Sequence, residues 1–170
     1  MSLTKKRRTL NAIFFFLENF SAGIWVGALL TFGLAVAAPV FRGLPSATQA
    51  GSITAHILHR INVIEASAAA LMVVAAVVFL LQKEQRTALR LGKTALTMIM
   101  AVMLLYYGMT IMNRLEYLRT VAIRDFDQFS EATHASRDEF DRLHKLYTQL
   151  AQANLFMGLG FLLLSAFEKK

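Results

Sequence analysis

Residues 61–81 read INVIEASAAALMVVAAVVFLL, and Glu65 is the one ionisable side chain among them. As an α-helix rising about 1.5 Å per residue, this stretch covers about 30 Å, the thickness of a bilayer's hydrocarbon core. An apolar run of that length reads as a membrane span.

Three further stretches read the same way. Residues 10–41, LNAIFFFLENFSAGIWVGALLTFGLAVAAPVF, would make a helix of about 48 Å, too long for one perpendicular span. The expectation is that residues 10–18 lie in the interface and Asn19–Phe41 cross, with Trp25 at the boundary or in packing. Pro39 and then Arg42-Gly43-Leu44-Pro45 end this helix. The third span is expected at residues 94–112 and the fourth at 146–167. The predicted fold is all-α: one membrane domain over residues 1–170, built as a four-transmembrane-helix bundle.

Composition supports this. The chain is 56% hydrophobic and only 17% charged, against about 25% charged in soluble domains. The net charge of +7 does not point to nucleic acid, because the basic residues flank the apolar runs. With no cysteine, disulfides, thiolate metal sites and thiol catalysis are excluded. Lys5-Lys6-Arg7-Arg8 before an apolar run, with Ala35-Val36-Ala37 beyond, suggests a secretory signal, but the run far exceeds the usual 7–15 residues.

Between the spans, Ser46-Ala47-Thr48-Gln49 fits a capping box that starts a helix before the membrane. The loop 82–93 carries Lys83, Arg86, Arg90 and Lys93. The third helix is expected to continue through Asn113, Arg114 and Glu116 into a polar segment, 113–145, where Phe126 and Phe129 are spaced to dock on something. A second box, Ser136–Glu139, opens a helix running into the fourth span. Lys5, Lys6, Arg7, Arg8, Lys83, Arg86, Arg90, Lys93, Lys169 and Lys170 fall on one side, more than half of the 18 Lys and Arg. The positive-inside rule then puts both termini in the cytoplasm and the chain in the cell inner membrane, with the segment between helices 3 and 4 outside.

Close helix packing in lipid needs small residues. Gly23 and Gly27 form a Gly-x-x-x-Gly pattern, Ala66 and Ala70 a matching face, and Gly158 and Gly160 a third. Contact within one chain is expected, with dimerisation through Gly23 and Gly27 as the alternative.

Charges within the spans need partners. Glu18 lies level with Arg90 and Lys93. Glu65 lies near Arg60 and Arg114 in depth, with Asn62 one turn away; an ion pair is expected, and a proton or cation site is the alternative. His56 and His59 share a helix face, and with Glu65 and His144 they are the residues a metal would take. His144, Thr148 and Gln152 line one face of the fourth helix, with Gln149 and Asn154 beside them; interhelical bonding is expected, and a water-filled outer vestibule is the alternative. The methionines, several between Met98 and Met112, read as core filling. Neither a nucleophile elbow nor a phosphate loop occurs, so no enzyme and no cofactor is expected.

Ala22-Gly23-Ile24-Trp25-Val26-Gly27, Ala38-Pro39-Val40-Phe41 and Leu44-Pro45 resemble the start of a bacterial domain-of-unknown-function family of small four-helix integral membrane proteins. That family has a eukaryotic transmembrane relative linked to cisplatin resistance. Tyr106–Arg119 and Phe140-Asp141-Arg142-Leu143-His144 resemble its later parts. This chain has Met112-Asn113 where the family often has Pro, and Tyr147 and Ala151 where Ser and Asn are usual. The resemblance implies a fold and a membrane location, no reaction, and draws attention to His144. Two functional expectations follow. One is a non-enzymatic module packing in the bilayer with copies of itself or with a larger membrane complex. The other is a transporter or binding protein for a small cation or metal.

Overall fold

The computed structural model describes residues 3–82 and 87–168 and is helical almost throughout. Helix α1 (Leu3–Thr31) passes through a π-helical turn, Phe32–Val36, into α2 (Ala37–Gly43). It runs unbroken through residues 10–18 and past Asn19. No helix breaker stands between Leu10 and Thr31, and an apolar helix has nothing to gain by opening. The π turn has a local cause. Pro39 brings no N–H and its ring crowds the carbonyl four residues back, at Ala35, which widens the preceding turn. Helix α2 stops at Gly43. Leu44 is extended (φ −111°, ψ 138°), as suits a residue before Pro45.

Helix α3 (Ala47–Leu81) starts as the capping box requires, with the Ser46 hydroxyl accepting from the Gln49 amide at 3.1 Å. Helix α4 (Ala88–Leu105) begins before residue 94, because the Thr87 hydroxyl caps it through the Arg90 amide at 3.2 Å. The same helix continues through a π segment (Tyr106–Ile111), α5 (Met112–Tyr117) and a second π segment (Leu118–Ile123). It ends at Arg124, whose φ of 63° reverses the backbone. After a 3₁₀ turn, Glu131–Thr133, helix α6 (His134–Ala166) is continuous. The second capping box is not formed. The helix opens at His134, so Ser136 already lies inside it, and Glu139 is drawn instead to Arg114.

Four helical stretches are long and apolar enough to cross a membrane: Lys5–Gly43, Ala47–Leu81, Ala88–Ile123 and Glu131–Ala166. They pack in a ring, α1 on α3, α3 on α4, α4 on α6 and α6 on α1. The interior holds Trp25, Met72, Phe79, Met100, Tyr107 and Phe161. Leu34, Leu81, Phe156 and Leu163 are among many large apolar side chains left exposed. An exterior of that kind would aggregate in water and suits lipid. This is a multi-pass membrane architecture. Of the residues that set the expected orientation, Lys83, Arg86, Lys169 and Lys170 lie outside the described residues.

The small-residue expectation is corrected. Gly23, Gly27, Ala66 and Ala70 are all exposed, and a Cβ added at Gly23 or Gly27 would meet nothing within 4 Å. The inward face of α1 is Glu18, Ser21, Ala22, Trp25 and Val26, and that of α3 is Glu65, Ala68, Ala69, Met72, Ala75, Ala76 and Phe79. Each helix is turned to bury its polar anchor, Trp25 or Glu65, which carries the glycine pair and the Ala66–Ala70 pair outward. Gly158 does pack inside, where a Cβ would fall 2.7 Å from Val26 Cγ2. Gly160 has open space.

Candidate buried polar site

The bundle has a terminal end, with the start of α1, the start of α4 and Glu168, and a connection end, with residues 44–46 and 124–133. Between them lies a closed polar network drawn from all four spans. At its centre Glu65 is 0% exposed. Trp25 Nε1 donates to Glu65 Oε1 at 2.6 Å, and the Tyr107 hydroxyl donates to the same oxygen at 2.8 Å. Asn154 Nδ2 donates to the Tyr107 hydroxyl at 3.2 Å and to the Met100 carbonyl at 3.2 Å. One turn from Glu65, Asn62 Oδ1 accepts from the Tyr147 hydroxyl at 2.8 Å. The rings of Tyr107 and Tyr147 meet edge to face at 5.1 Å, so the two halves of the network touch.

The π segment in the third span helps build this site. It carries Tyr107 inward beside Gly108, where a Cβ would lie 3.6 Å from Asn62 Nδ2 and 3.4 Å from Leu104 Cδ1. Within this network three buried polar atoms have no partner among the described residues: Asn62 Nδ2, Glu65 Oε2 and Asn154 Oδ1. Orphan groups this deep are uncommon and ask for an explanation.

The expected partners of Glu65 are not the observed ones. Arg60 is exposed, and Arg114 forms a two-pronged pair with Glu139 at 2.7 and 2.8 Å. Arg114 lies two turns beyond Tyr107, about 10 Å along the helix. Depth alone made it look close.

Glu18 does meet Arg90 and Lys93, both at 2.6 Å, at the terminal end. The tail completes the cluster: Glu168 lies 2.8 Å from Lys93 and also pairs with Arg90. Two cations and two anions therefore cancel at one depth. Arg90 lies over the Phe79 ring at 3.7 Å and Lys93 over that of Phe161 at 4.6 Å.

At the connection end, Asp127 caps α3 from a distant loop. It accepts from the Ser46 hydroxyl and from the Ala47 amide, the latter at 2.6 Å. The Ser46 hydroxyl and these amides hold the Asp127 carboxyl below its usual range, and the Arg114 guanidinium does the same for Glu139. Arg137 braces the loop through the carbonyls of Asp125 at 2.7 Å and Gln128 at 2.6 Å. Phe126 docks on Phe140 at 5.0 Å, whereas Phe129 stays exposed.

The histidines do not join Glu65. His56, His59 and His144 are exposed; His56 turns back to the Ser52 carbonyl at 2.8 Å and His144 stacks on Phe140 at 5.9 Å. Among the described residues, no group of three His, Cys, Asp or Glu stands where it could hold a metal ion. The polar stripe of α6 also faces the other way: His144, Thr148, Gln149 and Gln152 are exposed, while Tyr147 and Asn154 point inward. Among the described residues that stripe lies on the outside of the bundle and Glu65 within it. Reading the sequence for charges missed Trp25, Tyr107 and Tyr147, because each looks like an apolar residue until its one polar atom is placed.

The family described as "Domain of unknown function (DUF4149)" matches residues 20–120, more than half of the chain. The matched stretch includes Trp25, Asn62, Glu65 and Tyr107; Tyr147, Asn154 and Glu168 lie outside it. No curated protein and no solved structure matches the chain.

Proposed function

The chain belongs to the DUF4149 family, and from that premise we propose that it is a non-enzymatic module that packs laterally in the cell inner membrane, with copies of itself or with a larger membrane complex. One observation carries this reading. The small residues that let helices approach closely in lipid are exposed, Gly23 with Gly27 and Ala66 with Ala70, and a Cβ added at either glycine would meet nothing within 4 Å. The bundle closes with other residues and leaves these faces to the bilayer.

The orientation belongs to the same proposal. Lys5, Lys6, Arg7 and Arg8 sit at the terminal end with Arg90 and Lys93, which supports cytoplasmic termini.

The chain has no cysteine, so single cysteines report contacts without background. Gly27→Cys and Ala70→Cys should cross-link in native membranes, to a second copy or to a larger partner, while a cysteine at exposed Leu34 should not. A protein that is monomeric in membranes and cross-links at neither face would sink the reading.

A further inference from the structure

The geometry points to Glu65 as a proton-binding site: we propose that its side chain is a neutral acid, with the proton on Oε2, and that this proton exchanges with water. This goes beyond the packing role proposed above and does not depend on it.

The hydrogen bonds are unevenly divided. Both donors, the Trp25 indole N–H and the Tyr107 hydroxyl, go to Oε1, and Oε2 has no partner. Their direction is set by chemistry. An indole nitrogen can only donate, and Tyr107 accepts from Asn154 Nδ2, so its own proton is free for Glu65. A carboxylate would need donors at both oxygens. A carboxylic acid accepts at its carbonyl oxygen and carries its proton on the other, which fits two donors on Oε1 and none on Oε2.

No charge nearby balances an anion. Among the described residues no Lys, Arg or His pairs with Glu65. Arg90 and Lys93 are already matched by Glu18 and Glu168. From the packed elements, α1 offers Trp25, the π segment Tyr107, and α6 Asn154 and Tyr147; α3 itself adds Asn62. The titratable groups in this set are the two phenols, and none is charged. An unpaired carboxylate enclosed in a membrane bundle is strongly disfavoured, and taking up a proton removes the penalty.

Two further orphan atoms lie in the same network. Asn154 Oδ1 is an orphan acceptor beside Tyr107, and Asn62 Nδ2 is an orphan donor one turn toward the connection end. Asn62 is 8% exposed and Tyr147 4%, which makes them the rim of the network. Glu65 takes one proton from water and returns it there. No bond other than O–H is made or broken.

The test is infrared spectroscopy of the full-length protein in lipid nanodiscs at neutral pH, with circular dichroism to establish that each sample is folded. The expected result is a protonated-carboxyl band that vanishes in Glu65→Gln and moves in heavy water. Trp25→Phe removes one donor from the carbonyl oxygen and should raise the frequency of that band, which keeps the test decisive if Glu65→Gln does not fold. The proposal is overturned by a folded wild type that lacks the band, by a band that survives Glu65→Gln or ignores Trp25→Phe, or by one that heavy water leaves in place.

Discussion

Trp25 donates its indole N–H to Glu65 Oε1 at 2.6 Å, and so the chain's only tryptophan is tied to the buried acid of its second span. The bond joins α1 to α3, the two helices that pack most extensively, and both residues are 0% exposed. A membrane interior gives neither group a water molecule to fall back on, so the pairing restrains how the two helices rotate about their axes.

Trp25→Phe keeps an aromatic ring but removes this donor. It should destabilise the bundle by about 1–3 kcal/mol, combining a lost bond to a buried acid with a small loss of volume. The measurement is the midpoint of unfolding by denaturing detergent in mixed micelles. An unchanged midpoint would mean that the bond stabilises nothing.

The cluster of Glu18, Arg90, Lys93 and Glu168 predicts an order of effects. Glu18→Gln leaves two buried cations with one anion and should cost about 3–5 kcal/mol. Glu168→Gln should cost less, because its side chain is 12% exposed against 4% for Glu18. The same unfolding assay ranks the two, and equal or reversed effects would contradict the burial argument.

Two glycines in close-packed surroundings by sequence should behave oppositely. Gly158→Ala drives a methyl to 2.7 Å from the stiff Val26 side chain and should cost about 1–3 kcal/mol. Gly27→Ala meets nothing and removes a helix-weakening glycine, so it should stabilise the monomer by up to about 1 kcal/mol. Thermal unfolding of both variants in a detergent that keeps the protein monomeric reads the sign.

Asp127 predicts a pH effect at the connection end. Its carboxyl is held below the usual value of about 3.9 by the cap of α3, so folding gains from its ionised form. That gain is fully present above the ordinary value and disappears as pH falls through the lower, folded one. Stability of the wild type should therefore decline in acid, below about pH 4, more steeply than that of Asp127→Asn. Parallel acid limbs would show that the cap is not felt.

The residues differ in what could be read before folding. That Glu18 would meet Arg90 and Lys93 was legible, because all three lie at the same depth. Glu168 was not, since a tail gives no sign of folding back. The same reasoning failed for Glu65: Arg60 is exposed and Arg114 lies two turns beyond Tyr107, and neutral Trp25 and Tyr107 took their place. For Gly23, Gly27, Ala66 and Ala70 the pattern was visible and the face was wrong.

The amino-acid sequence by itself determined that this chain forms four helices suited to lipid, and where α3 begins. Length, hydropathy and capping are local, and the rise per residue turns position along a helix into depth. Only the tertiary structure decided which way each helix faces. Rotation about a helix axis is set by all neighbours at once, and here one hydrogen-bonded acid in the core, rather than the stripes of small residues, fixed it.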